Sequence, residues 1–138
     1  MSDKPGAAAV LYAMDLGRMR AFYEAVLGWE VVHAGDDHAI LETAAFQLIL
    51  QAIPASIAET IESASPPERR TETPIKLVFP IDSIREARDA AAAHGGELDA
   101  PEREWRFRTD RVCDGHDPEG NVVQFRERMA PSSGSSEE

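Results

Sequence analysis

A chain of 138 residues, 43% hydrophobic and 28% charged, has the composition of one compact soluble domain with a single core. It shows no apolar run long enough to cross a bilayer and no charged-then-apolar leader, which leads us to expect a cytoplasmic protein. The net charge of -11 argues against nucleic acid and anionic membrane, since both attract basic patches, and would steer a cationic ligand if it steers any.

After a short polar leader, residues 7–14 read as a strand apolar on both faces, as expected in the middle of a sheet. Asp15 is a good N-cap. Leu16, Met19, Phe22, Tyr23, Val26 and Leu27 then recur at helical spacing until Gly28 ends the helix. Strands follow at 29–34 and 38–43 around a turn at Gly35-Asp36-Asp37, and a further one at 46–51. In the last of these, Phe46, Leu48 and Leu50 share one face and Gln47, Ile49 and Gln51 the other. Pro54 breaks that strand, and Ser56 with Glu59 forms a capping box that predicts a short helix over 57–63. A proline-rich, charged stretch at 65–74 completes a linker over 54–74, between a first module at 7–53 and a second at 75–128.

The second half repeats the first. A strand at 75–81 leads to a capping box of Ser83 and Glu86, and Ile84, Ala87, Ala90 and Ala91 continue a helix to Gly95-Gly96. Ser83 lies 68 residues after Asp15, and the same offset carries Leu16 to Ile84 and Gly28 to Gly96. Strands are predicted at 97–100, 106–113 and 122–127. Before the last, Asp117 opens a turn, Pro118 presets its second position and Gly120 supplies a positive φ. Val123 and Phe125 should then lie under helices, while Gln124 lines an open face of the sheet. The lone Cys113 reads as a small apolar residue in a strand. The low-complexity tail at 129–138 is expected to be disordered.

The run Asp117-Pro-Glu-Gly-Asn followed by a strand resembles the closing segment of the glyoxalase/bleomycin-resistance/extradiol-dioxygenase superfamily, the vicinal oxygen chelate fold. The run from Val10 to Gly28 resembles its first strand and helix. The resemblance covers residues 7–128 and implies an α+β fold, two βαβββ modules forming a curved mixed sheet around a groove. It also implies a divalent metal between the modules, held by a His at the start of each module's first strand and by Glu or His on later strands. The first-strand position, seven residues before the helix N-cap, is held here by Ala8 and by Lys76, or by Ile75 if the register slips by one. The closing Glu falls on Gln124, with Gln51, or else Gln47, as its first-half counterpart. None of these is a good ligand for a divalent cation, so neither metal nor cofactor is expected. An atypical cluster of His38, His116 and Asp114 is the alternative, while His33 and His94 read as surface or capping residues.

What the resemblance then implies is a metal-free, sequestering protein that holds a small organic molecule in the groove. Tyr12, Gln51, Lys76 and Gln124 are candidates by strand parity with the matched positions, and Trp105 and Arg108 by residue type. Aromatic surface beside a few polar groups suits a planar or amphipathic ligand. The alternative is a metal-dependent lyase, isomerase or dioxygenase with an atypical site, or catalysis by Lys76 or a tyrosine without metal. No residue is assigned a catalytic role. The resemblance further implies a homodimer.

Overall fold

Asp15 and Ser83 each stop a strand and start a helix, and the two halves of the chain fold around them in the same order. The computed structural model describes residues 6–58, 69–71 and 73–129. Its first half runs β1 (Ala7–Ala13), α1 (Leu16–Leu27), β2 (Glu30–Ala34), β3 (His38–Glu42) and β4 (Phe46–Ala52). A single helical turn, α2 (Ala55–Ala58), follows. The rest of the helix predicted to residue 63, most of the connector and the tail beyond Met129 lie outside the described residues. The second half runs β5 (Leu77–Ile81), α3 (Ile84–Ala93), β6 (Glu97–Leu98), a 3-10 turn (Pro101–Arg103), β7 (Trp105–Phe107), β8 (Asp110–His116) and β9 (Val122–Arg128).

The strands form two mixed sheets, ordered β1-β4-β3-β2 and β5-β9-β8-β6, with β7 also paired to β8. In each sheet the first strand runs parallel to the last, and the remaining neighbours are antiparallel. This is the α+β architecture of two βαβββ modules expected from the sequence. Among the described residues no helix is long and apolar enough to cross a membrane.

Three local expectations need correction. The apolar strand β1 lies at a sheet edge, paired among the described residues with β4 alone, and not in the middle. Its second apolar face, Val10 and Tyr12, is 52% and 63% exposed, so it belongs to an open surface and not to a buried strand. The strand predicted over 106–113 is a hairpin, β7 and β8, because Arg108 takes a left-handed φ of 57° and turns the chain. The strand predicted over 97–100 stops at Leu98, since Asp99 and Ala100 lead into the 3-10 turn begun by Pro101.

The helix starts match at the 68-residue offset. Asp15 Oδ1 accepts from Arg18 N at 3.1 Å, and Ser83 Oγ accepts from Glu86 N at 3.1 Å. The helix ends do not. α1 spans 12 residues and ends at Gly28 with φ 71°, whereas α3 spans 10 and the left-handed glycine after it is Gly95, φ 89°. Gly96 is small for a different reason, since a Cβ there would run into the Phe22 ring and the His116 carbonyl oxygen. Gly96→Ala is therefore expected to cost about 1–3 kcal/mol through overpacking. Gly17→Ala, whose Cβ would meet only Asp15 Oδ1 at 3.9 Å on α1, should stabilise by up to about 1 kcal/mol. Urea unfolding of the two variants checks both signs.

One hydrophobic core serves both modules. Met19, Phe22, Tyr23, Val26 and Leu27 of α1 meet Ile84, Ala87 and Ala91 of α3 and alternate residues of both sheets, among them Leu48, Leu50, Phe79, Val123 and Phe125. Cys113 lies fully buried in it, and burial raises its thiol pKa against the opposing pull of Arg88, so it is a structural cysteine and a poor nucleophile. A polar clasp adds to the joint. The Glu119 carboxylate accepts from Met14 N and from Asp15 N at 2.8–3.0 Å, and Tyr23 donates its hydroxyl to Asp117 Oδ2 at 2.7 Å. The turn that carries the sequence motif thus holds the start and middle of the other module's helix.

Candidate functional site

Strand parity sends one side of each sheet to the core and leaves the other open. On the second sheet the open side carries Val78 and Pro80 from β5, Gln124, Arg126 and Arg128 from β9, Asp110 and Asp114 from β8, and Trp105 and Phe107 from β7. Cross-strand pairing stacks these residues in rows, Val78–Gln124–Asp114 in one and Pro80–Arg126–Val112–Trp105 in the next. The side chains form one relay. Lys76 Nζ donates to Asp114 Oδ2 at 2.9 Å, and Gln124 Nε2 donates to Asp114 Oδ1 at 3.2 Å. Gln124 Oε1 in turn accepts from Arg126 Nε at 2.9 Å. The Arg126 guanidinium carbon then lies 4.7 Å from the centroid of the Phe107 ring. Beside it, Arg128 Nε bonds Asp110 Oδ1 at 2.8 Å and holds that carboxyl below the usual aspartate range. A cavity of about 220 Å³ opens here, lined by Val78, Pro80, Ile81, Asp110, Arg126 and Arg128.

The open side of the first sheet carries Val10 and Tyr12 from β1, Gln47, Ile49 and Gln51 from β4, and His38, Ile40 and Glu42 from β3. Tyr12, Gln51 and His38 share one row. Gln51 Nε2 donates to the Asp37 carbonyl oxygen at 2.9 Å, and Gln47 bonds the Glu42 carboxylate. His33 Nδ1 lies 2.8 Å from His38 Nε2, and His38 Nδ1 lies 2.8 Å from Asp37 Oδ1, which lowers the Asp37 pKa.

The six residues expected to line a groove therefore divide. Lys76 and Gln124 meet at Asp114, and Trp105, 41% exposed and outside the core, stands in the next row of the same face. Arg108 sits at the tip of the β7–β8 hairpin, where its carbonyl accepts from Arg106 Nε at 3.3 Å. Tyr12 and Gln51 pair on the other sheet. The first-half counterpart of Gln124 is neither Gln51 nor Gln47. Val10 pairs with Ile49 as Val78, 68 residues later, pairs with Gln124, so Ile49 holds that position and Gln51 corresponds to Arg126. The cluster of His38, His116 and Asp114 does not form. His116 Nδ1 donates to the Asp117 carbonyl oxygen at 3.0 Å, and the other two are engaged as described. Among the described residues no three His, Cys, Asp or Glu side chains gather as a metal site would require.

Arg126 and Phe107 were missed by the sequence reading. The signal for Arg126 was present, since it lies two residues from Gln124 on one strand and shares its face. Phe107 carries no such signal, because a continuous strand over 106–113 would place it on the face of Cys113, and the turn at Arg108 puts it on the other.

The sequence profile described as a glyoxalase-like domain matches residues 8–125, most of the chain. This chain belongs to that family. No curated protein matches its sequence. Solved structures of similar fold include a glyoxalase/bleomycin resistance protein from Albidiferax ferrireducens, 17% identical with TM-score 0.63, covering 88% of this chain and 97% of that one. A glyoxalase/bleomycin resistance protein/dioxygenase family enzyme from Burkholderia phytofirmans is 21% identical, TM-score 0.63, covering 89% and 98%. The bleomycin resistance determinant encoded on transposon Tn5 is 18% identical, TM-score 0.59, covering 92% and 100%. In this glyoxalase-like domain the positions matched to metal ligands do not fit a divalent cation. Ala8 offers no donor atom, Lys76 brings a positive charge, and Gln124 spends both ends of its amide on Asp114 and Arg126.

Proposed function

We propose that this glyoxalase-like domain is a metal-free protein that binds a small organic molecule on the open faces of its sheets. The observation that carries this reading is that Lys76 and Gln124, at two positions matched to metal ligands, both bond one carboxylate, Asp114. A cation there would have to displace an ammonium ion and break a relay of hydrogen bonds. The open faces also expose Val10, Tyr12, Val78, Trp105 and Phe107, more apolar surface than isolated exposed residues explain. A second copy of the chain, laying its first sheet against the second sheet of this one, would cover those faces and enclose the ligand between them, so a homodimer accompanies the proposal. A cytoplasmic location suits the free Cys113 thiol.

The experiment is a metal assay of protein purified without chelator or affinity tag, followed by a melting-temperature screen with Ni, Co, Mn, Fe and Zn and then with planar and amphipathic small molecules. The expected outcome is substoichiometric metal, no ion-specific shift, and stabilisation by some of the small molecules, with Trp105 fluorescence changing on binding. Stoichiometric metal, or a large shift with one ion, would sink the metal-free reading and favour an enzyme with an atypical site.

A further inference from the structure

We infer that the second sheet carries a built site for a small anionic ligand, an aryl or alkyl carboxylate, with Arg126 as its receptor. The inference rests on the open-face binding proposed above and names the ligand's charge class. Among the described residues of this face Arg126 is the cation with no carboxylate bonded to it, and it acts on Asp110 only through space, behind the Arg128 bond. Asp114 is taken by Lys76 and Gln124, and Asp110 by Arg128, whereas Arg126 has no salt bridge among the described residues. Only its Nε has a hydrogen-bond partner there, Gln124, so its terminal nitrogens are available.

The guanidinium is also held in place. Gln124, 8% exposed, fixes one edge, and the Phe107 ring supports the flat face. A planar fork with its orientation set beforehand loses little entropy when it grips a carboxylate through two parallel hydrogen bonds. The adjoining cavity of about 220 Å³ has Val78, Pro80 and Ile81 in its walls, which suit an apolar body attached to the anion. It is smaller than the ~300–1,000 Å³ of sites for drug-sized molecules, so the occupant is compact.

The net charge of -11 pulls the other way, toward cations. Contact wins over distance here. At physiological ionic strength charges more than roughly 8 Å apart are largely screened, while a carboxylate on Arg126 would be in direct contact with it. The global charge slows an anion's approach; at the cavity two guanidiniums, Arg126 and Arg128, face one carboxylate, Asp110, so the local balance favours an anion.

Isothermal titration of the intact protein with 2-naphthoate, its neutral isostere 2-naphthamide and 2-naphthylmethylammonium tests this. Naphthoate is expected to bind at least tenfold more tightly than the amide, and the ammonium compound weakest. Arg126→Gln should abolish that preference and Arg126→Lys should retain part of it, with melting temperatures confirming that both variants fold. Equal affinity for naphthoate and naphthamide, tighter binding of the cation, or a preference that survives Arg126→Gln would overturn the assignment of an anion to Arg126. Binding of the amide or the cation alone would leave the open-face reading intact while the anion claim falls. Silence from all three probes overturns the anion site as well, and the metal assay above then judges the broader reading separately.

Discussion

Asp117→Ala is expected to lower the unfolding free energy by about 3–5 kcal/mol in urea titration. Asp117 is fully buried, and its two oxygens accept from Tyr23 Oη at 2.7 Å, Glu119 N at 2.8 Å, Asn121 N at 3.0 Å and Asn121 Nδ2 at 2.9 Å. Alanine leaves all four donors to find water in a buried turn, at about 1–3 kcal/mol for each one that fails. Tyr23→Phe removes one partner and should cost about 1–2 kcal/mol, and the two losses should add to more than the double variant shows, because the sites share a bond. A loss below about 1 kcal/mol for Asp117→Ala would mean that the turn does not join the modules.

The same pair gives stability an alkaline limit. Burial first, and the neighbouring Asp117 carboxylate second, raise the Tyr23 pKa well above its ordinary 10.0. The folded state thus favours the neutral phenol more than the unfolded chain does. That contribution is complete below pH 10 and is lost as pH climbs from there through the raised folded value. Tyr23→Phe should flatten this decline.

Phe79→Ala is expected to cost about 3–5 kcal/mol and to lower the Tm by more than about 10 °C. Phe79 is 1% exposed, and its ring lies 5.7 Å from Trp29, 5.9 Å from Tyr23, 6.4 Å from Phe125 and 6.5 Å from Phe46. Three of those rings belong to the first module and one to the second, so the cavity opens at the joint. Val78→Ala, one residue earlier and 44% exposed on the open face, should cost less than about 1 kcal/mol. Both variants should melt in one transition, since the modules share a core; two separated transitions in Phe79→Ala would show that each module folds by itself.

Much of this fold was legible because it is local. Asp15 and Ser83 were readable as caps from their side-chain chemistry, and α1 and α3 from apolar spacing. The Asp117 turn was readable from Pro118 and from Gly120, which takes φ 86°. Alternation along β9 was enough to send Val123 and Phe125 inward, 1% and 0% exposed, and Gln124 to the opposite face. The same alternation puts Glu127, three residues on, on the face opposite Gln124. Glu127 accepts from Ile84 N at 2.7 Å, at the start of α3 on the core side.

The site was only half legible. Ala8, Lys76 and Gln124 could be named as poor metal ligands by chemical type alone. That Asp114 gathers Lys76 and Gln124, and that Arg126 lies over Phe107, came from the pairing of β8 with β9 and of β7 with β8. The sequence by itself determined the two helices and their starts, the repeat and the inward sides of β4 and β9, all consequences of steric and hydrogen-bonding preferences within a few residues. Only the tertiary structure decided that β1 is an edge, that Ile49 rather than Gln51 answers to Gln124, and that Arg126 lies on the open face with no carboxylate bonded to it among the described residues. A period of two looks the same at every second residue, so register along a strand is invisible until a partner strand fixes it.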